Sequence, residues 1–367
     1  MTVSYLLSAR RSPVAPRGGA LAHLDLHELA APVLTAALHD AGLTPDDVGE
    51  LIVSNALGAG GNPARIVALG AGWPDRIAGL SVDRQCAGGL DALIIADALI
   101  RSGQHDIVVA GGVESYSRRP MRSRTFADAR APEPYDQAAF TPWADRDPDM
   151  ADAADQLAQD LQISQADQDA WAIASHAKAQ PDPAMTQVAG LSHDPFTRAL
   201  TVRHCARAPK VSGSITAANM AVAADGAGFV VMASAAYVAK HGLDAVPFVG
   251  GVTLGGDPTR PGLAPIAAIK TVLASAGITA ADLTTAEIME AFAVQAIACV
   301  DGAGIPPAIV NLQGGALARG HPVGASGAIL AARLFHAVRD GGTGLAAIAA
   351  AGGLGSAIIL GRNRENL

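Results

Sequence analysis

Cys86 stands in Arg84-Gln85-Cys86-Ala87-Gly88-Gly89-Leu90, and 235 residues later His321 stands in Gly320-His321-Pro322-Val323-Gly324-Ala325-Ser326-Gly327. A thiolate is a strong nucleophile and an imidazole a common base for it, so the two together would make a nucleophile with a group to take its proton. Alone, each has a plainer reading: a cysteine at an apolar helix start is a core residue, and a histidine in a glycine-rich loop is a surface or capping residue. The spacing changes both readings. The same shift lays Asp40-Ala41-Gly42-Leu43-Thr44 on Ser275-Ala276-Gly277-Ile278-Thr279 and carries Asp47 onto Asp282 and Gly89 onto Gly324. The chain therefore reads as a duplication, with Cys86 and His321 meeting across a pseudo-twofold axis.

The elements that must position this pair follow βαβ grammar. In the first half, Leu26 to Ala41 has helical periodicity closing on Gly42, Glu50 to Asn55 is strand-like, and a loop carries Gly58, Gly60, Gly61 and Pro63. Residues 79–83 read as a strand entering the Cys86 turn, Gly88 to Arg101 as an apolar helix, and Asp106 to Ala110 as a buried strand. The second half repeats this with a helix over Pro265 to Ser275, a strand and helix around Ile288 to Val300, the His321 turn, a helix from Ala325 to Val338, and strands Leu345 to Ala350 and Ser356 to Leu360. Residues 118–212 change character, with Arg118, Arg119, Arg122 and Arg124 leading into proline-rich and acid-rich sequence, so they read as an insertion. It holds a helical pair, Met150 to Leu161 and Gln165 to Gln180, the second capped by Ser164, and Gly228 to Ala233 then returns to the first sheet. The expected domains are residues 1–117 with 213–242, residues 118–212, and residues 243–367.

Composition bounds the rest. A chain of 367 residues, 50% hydrophobic, 16% charged and with mean hydropathy +0.27 can bury several cores. A net charge of −8 argues against nucleic acid as a partner. The odd count of cysteines, Cys86, Cys205 and Cys299, has neither disulfide nor metal spacing and fits a reducing compartment. Met1-Thr2-Val3-Ser4-Tyr5 shows no basic segment followed by an apolar one, and the uncharged stretch Gly344 to Leu360 is broken by Gly352, Gly353 and Gly355. The expectation is a cytoplasmic protein with no membrane partner. A sulfur between strand and helix would gain from free backbone N–H groups, and the Cys86 N–H could donate to an oxyanion.

Arg84-Gln85-Cys86-Ala87-Gly88-Gly89-Leu90, Gly111-Gly112-Val113-Glu114-Ser115, Asn62-Pro63-Ala64-Arg65, Gly213-Ser214-Ile215-Thr216-Ala217-Ala218-Asn219, and Gly314-Gly315 before Gly320-His321-Pro322 resemble the thiolases in order and spacing, over almost the whole chain. The resemblance implies an α/β protein with the five-layered αβαβα fold of that family, two similar βαβαβαββ halves, and a middle segment that holds coenzyme A. It also implies a homodimer or homotetramer and no tightly bound cofactor or metal, the CoA thioester being the substrate. By the same resemblance, Cys86 accepts the acyl group of an acyl-CoA. His321 takes the thiol proton and later helps hold the thioester oxygen, and the N–H groups of Cys86 and Ala351 form an oxyanion hole. Claisen condensation or thiolysis of a 3-ketoacyl-CoA follows, chemistry of fatty acid metabolism.

Two positions depart from that pattern. Met289-Glu290-Ala291-Phe292 stands where the thiolases have Asn-Glu-Ala-Phe, and Ala349 stands where they carry the second catalytic cysteine. Neither side chain can place a water or move a proton. Acyl capture is thus expected to survive better than carbon–carbon chemistry. The alternatives are a divergent acyltransferase to an oxygen, nitrogen or sulfur nucleophile, and a non-catalytic CoA-binding scaffold. Glu290 is the one conceivable replacement base.

The CoA segment differs as well. Asn219-Met220-Ala221 replaces Asn-Ala-Ser, the Gln180 to Lys210 stretch is short, and Arg198, Arg203, Arg207 and Lys210 are the candidates for CoA phosphates. Among other candidates, His23 and His27 read as surface, Gly58-Ala59-Gly60-Gly61 lacks a following dinucleotide pattern, and His176 reads as packing or capping. Cys299 reads as core and Glu114 as a carboxylate bound to backbone donors.

Overall fold

The computed structural model describes residues 3–58 and 60–361. Met1, Thr2, Ala59 of the glycine-rich loop, and residues 362–367 lie outside the described residues.

Two sheets repeat one strand order. The first runs Leu80–Val82, Glu50–Ser54, Ile107–Glu114, Ala224–Ser234, Ser4–Arg11, and the second runs Thr285–Ile288, Thr343–Ala350, Leu354–Gly361, Val246–Gly255. They touch at their last strands through the pairs Tyr5–Pro247 and Leu6–Val246. Where the first sheet ends on Leu80–Val82, the second has only a single bridge, Ala286 to Val310. The duplication extends to side-chain bonds. Thr44 N–H and Oγ1 donate to Asp47 at 2.8 Å, and Thr279 N–H and Oγ1 donate to Asp282 at 2.9 and 2.8 Å.

Strand alternation decides the layers. Val108 and Ala110 face one core with Val230, Ala346, Ile348 and Ile358, whereas Val109 and Val231 face another with Leu29, Val33 and Leu34. The shared core is filled by the helices Gly88–Arg101 and Ser326–Val338, which carry Leu90, Leu93, Leu330 and Phe335 between the sheets. Outer helices cover the far faces: Leu26–Asp40 and Pro63–Gly70 on the first sheet, Ala264–Ser275 and Ala293–Ala303 on the second, where Leu345, Ala347 and Ile359 point. This is the expected five-layer order. The middle helices meet backbone to backbone, since a Cβ on Gly89 would stand 2.4 Å from Ala328 N and one on Gly327 2.5 Å from Leu90 N. That approach brings the two turns that precede these helices together.

The insertion carries Met150–Leu161 and Gln165–Lys178, with Ser164 capping the second as expected. Its first helix buries Ala151, Ala154 and Leu157 against Val294 and Ala298 of the second half. A buried ion network also ties it down: Arg11 Nε to Asp182 at 2.6 Å, Arg333 Nη1 to the same oxygen at 2.8 Å, and Arg333 Nε to Glu287 at 2.9 Å. Sequence reading does not assign the strands Ser4–Arg11 and Val246–Gly255 or the helix Pro63–Gly70, and it ends the strand Ile107–Glu114 four residues early. The glycine pair 111–112 explains the early end of the strand. Among the described residues, no helix is long and apolar enough to cross a membrane.

Candidate active site

Cys86 and His321 meet: Sγ and Nε2 are 3.0 Å apart. The cysteine sits between the strand Leu80–Val82 and the helix Gly88–Arg101, and Gln85 before it has φ +50°, a left-handed conformation uncommon for a residue with a Cβ. Asp83 holds that turn by accepting the Gln85 N–H at 2.9 Å. His321 follows Gly320 (φ +120°), and its N–H donates to Val222 O at 2.8 Å, which lays the turn beside the segment 219–223.

Three further motifs converge here. Ala221 N–H donates to Ala291 O at 2.9 Å and Ala293 N–H to Asn219 O at 2.8 Å, so the segment 219–221 runs along the Met289-Glu290-Ala291-Phe292 stretch. Glu114 Oε2 accepts from Ala56 N–H at 3.0 Å and Gly324 N–H at 2.9 Å, and Oε1 from Asn55 Nδ2 at 2.7 Å and Leu57 N–H at 3.3 Å. It is the backbone-bound carboxylate expected, and it pins the His321 turn to the first sheet. Gly112 makes room for that turn: a Cβ there would stand 2.2 Å from Gly324 O.

The imidazole tautomer follows from one hydroxyl. Ser326 Oγ lies 3.1 Å from Pro322 O, which can only accept, and 2.7 Å from His321 Nδ1. The serine proton goes to the carbonyl, so Nδ1 carries the ring proton and Nε2 turns its lone pair to the sulfur. Ser326 appeared in the sequence only as part of the loop motif. Its place five residues after His321 becomes meaningful once the helix from Ser326 turns it back on the ring.

Electrostatics correct one expectation. Burial pushes the Cys86 thiol up to about 12, and the carboxylates Glu114 and Asp83 push it the same way. The N–H groups of Cys86 and Ala351 both reach the sulfur and offset this only in part. Burial pushes His321 down to about 4. The resting pair is therefore a neutral thiol and a neutral base rather than the stabilised thiolate expected from the helix start, because desolvation outweighs the backbone donors.

Met289 is buried in the core cluster on which Cys86 packs, together with Ala221, Ala316, Ala350 and Leu354. Ala349 is buried at the end of its strand, opposite Gly355. Glu290, the replacement base conceivable from sequence, is engaged elsewhere. Its two oxygens accept from Trp171 Nε1 at 3.0 Å, Asn311 Nδ2 at 2.7 Å, Ser175 Oγ at 2.7 Å and Leu317 N–H at 3.2 Å. His176 is buried in the insertion, its Nδ1 accepting from Arg198 N–H at 3.3 Å and its ring against Phe196; burial pushes it down to about 4. Cys299 is fully buried, as a core residue. His23 is exposed and His27 half-buried, its ring packed close to Gly70. Arg198, Arg203, Arg207 and Lys210 are exposed on the insertion, and among the described residues none of the four has a carboxylate partner within salt-bridge distance.

Comparison with known proteins agrees with this geometry. The sequence family "Thiolase, N-terminal domain" matches residues 4–188, and "Thiolase, C-terminal domain" matches residues 246–362. The chain is 36% identical to "Putative acetyl-CoA C-acetyltransferase YhfS" of Bacillus subtilis, over 97% of this chain and 98% of that protein. It is 32% identical to "Putative acetyl-CoA C-acetyltransferase VraB" of Staphylococcus aureus, over 99% of this chain and 100% of the relative. Among solved structures, the Bacillus anthracis acetyl-CoA acetyltransferase superposes with a TM-score of 0.90 at 30% identity, over 98% of this chain and 99% of its own. The Acat5 thiolase from Ascaris suum, in complex with coenzyme A, gives 0.89 at 29% identity, over 98% and 100%.

Proposed function

Since the chain belongs to the thiolase family and is an acyltransferase of the thiolase type, we propose that it captures the acyl group of an acyl-CoA on Cys86. The observation that carries this reading is the 3.0 Å contact between Cys86 Sγ and His321 Nε2. In the first step, Nε2 takes the thiol proton as sulfur attacks the thioester carbonyl. The N–H groups of Cys86 and Ala351, already directed at the sulfur, are within reach of the developing oxyanion. Collapse expels CoA, which receives the proton back from His321. Transient deprotonation suits this site better than a standing thiolate, since the charge exists only while sulfur attacks.

Arg198, Arg203, Arg207 and Lys210 supply unneutralised positive charge for the CoA phosphates, and the exposed Val202 and Val211 beside them give an apolar surface to the rest of the carrier. Ala221 lies on the segment beside His321 and would line the pantetheine. The acyl group then passes to a second acceptor, by thiolysis or Claisen condensation as in the family. Ala349 favours a second reading, transfer to an oxygen, nitrogen or sulfur nucleophile, because no group there can remove a carbon-bound proton.

The test is mass spectrometry of the intact protein after incubation with acetyl-CoA and longer acyl-CoAs. One acyl mass on Cys86 is expected. A wild type that stays unlabelled at every chain length, beside a labelled control thiolase, would sink the proposal and leave a CoA-binding scaffold. Size-exclusion chromatography with light scattering decides dimer against tetramer.

A further inference from the structure

Carbon–carbon bond formation needs a carbanion at the second substrate's α-carbon, and the carboxylates around Cys86 are each already engaged. Glu114 and Glu290 each accept four hydrogen bonds. Asp83 accepts both the backbone and the side-chain amide of Gln85, at 2.9 and 3.2 Å. Asp91 is held by Thr253, by Ser356 at 3.1 Å and by Arg84 at 3.0 Å. His321 faces the sulfur. The side chains packed with Cys86 are apolar: Met289, Ala350, Ala221 and Leu354 share one cluster with it, and Ala349 stands one residue before the end of the strand Thr343–Ala350. A route that removes an α-proton here lacks a contribution of about 10²- to 10⁴-fold.

Resting on the acyl-Cys86 reading above, we propose that the second substrate is a β-carboxyacyl thioester of the malonyl-CoA class, whose carbanion is generated by loss of CO₂ rather than of a proton. The electron pair of the carboxyl–α-carbon bond becomes the enolate. The enolate forms the new bond to the acyl carbon on Cys86. The carbon–sulfur bond to Cys86 breaks with its pair on sulfur, which takes a proton from solvent. Acyl-CoA, malonyl-CoA and one proton thus yield 3-ketoacyl-CoA, CoA and CO₂, with no oxidant or reductant.

Apolar surroundings that cannot accept a proton would promote this step, because a carboxylate without water or a hydrogen-bonding partner is raised in free energy and its charge is relieved when CO₂ forms. Asp83 and Glu114, which oppose a thiolate at Cys86, oppose a carboxylate there for the same reason.

Acyl-loaded wild type is mixed with acetyl-CoA, malonyl-CoA or methylmalonyl-CoA, following 3-ketoacyl-CoA by mass spectrometry and CO₂ from a radiolabelled carboxyl. The expected result is one CO₂ per 3-ketoacyl-CoA, at a rate at least about 100-fold above that with acetyl-CoA as second substrate. Methyl-deuterated acetyl-CoA should keep its label in water, and Cys86→Ala should make no 3-ketoacyl product. An acylated Cys86 with no CO₂ from either carboxylated thioester, or with equal condensation from acetyl-CoA, overturns this inference and leaves acyl capture standing. An unacylated Cys86 overturns both.

Discussion

The strands Ile107–Glu114 and Thr343–Ala350 occupy equivalent places in the two halves, yet Glu114 near the end of one corresponds to Ala349 near the end of the other, 235 residues on. The first half uses this place for structure: a carboxylate gathers N–H groups from the loop at Ala56 and Leu57 and from the His321 turn. The second half leaves it bare beside the catalytic pair. The turns differ in the same way. Five residues after Cys86 stands Asp91, bonded to Thr253 and Ser356 of the other half, and five after His321 stands Ser326, which sets the imidazole tautomer. Duplication supplied two copies of one frame, and the halves divided the proposed nucleophile, the proposed base and their support between them. The residues proposed for capturing an acyl group are both present, whereas alanine stands where the family's second cysteine would be expected.

The largest break in this comparison is Cys86→Ala, which should abolish the acyl adduct entirely while thermal unfolding shows an intact fold. Restoring the missing side chain tests the other half. Ala349→Cys should raise acetoacetyl-CoA cleavage by up to about 10²- to 10⁴-fold, the usual worth of a general acid or base; robust thiolysis in wild type with no gain in the variant would reveal another proton carrier.

The pH dependence probes the neutral pair. With His321 pushed down to about 4, its base form is present above that pH, so acylation should stay level toward acidic pH and fall only near 4, whereas an ordinary histidine would lose it near 6.5. Alkylation of Cys86 by iodoacetamide should keep rising above pH 9, its thiol being pushed up to about 12. A plateau near neutrality would mean a standing ion pair. Ser326→Ala removes the acceptor of the Nδ1 proton and should slow acylation by about five- to tenfold, the worth of one hydrogen bond, with little change in acyl-CoA KM. The smallest effect compares the frames themselves. Thr44→Ala and Thr279→Ala, at matching caps, should each cost about 1 kcal/mol in denaturant unfolding; a large inequality would mean that the halves do not share stability evenly.

Much of the frame was legible because local chemistry and tertiary packing agree. The helix Gly88–Arg101 matches its apolar run end to end, and the hairpin of Thr343–Ala350 and Leu354–Gly361 follows from two apolar runs around Gly352-Gly353. The strands Ser4–Arg11 and Val246–Gly255 were not legible, since their faces alternate only weakly and their pairing is set by strands far along the chain. The role of Glu290 could not be read either. Its four donors come from the insertion, from Asn311 and from the turn before His321, which no spacing brings together.

By itself the sequence determined the duplication, the residue types at Cys86 and His321, and the absence of a polar side chain at Met289 and Ala349, because these depend only on identity and repeat spacing. Tertiary structure decided the charge state and direction of the chemistry. Packing the sulfur and the imidazole between two sheets strips much of the water that would stabilise either ion, and Ser326 then sets which ring nitrogen carries the proton.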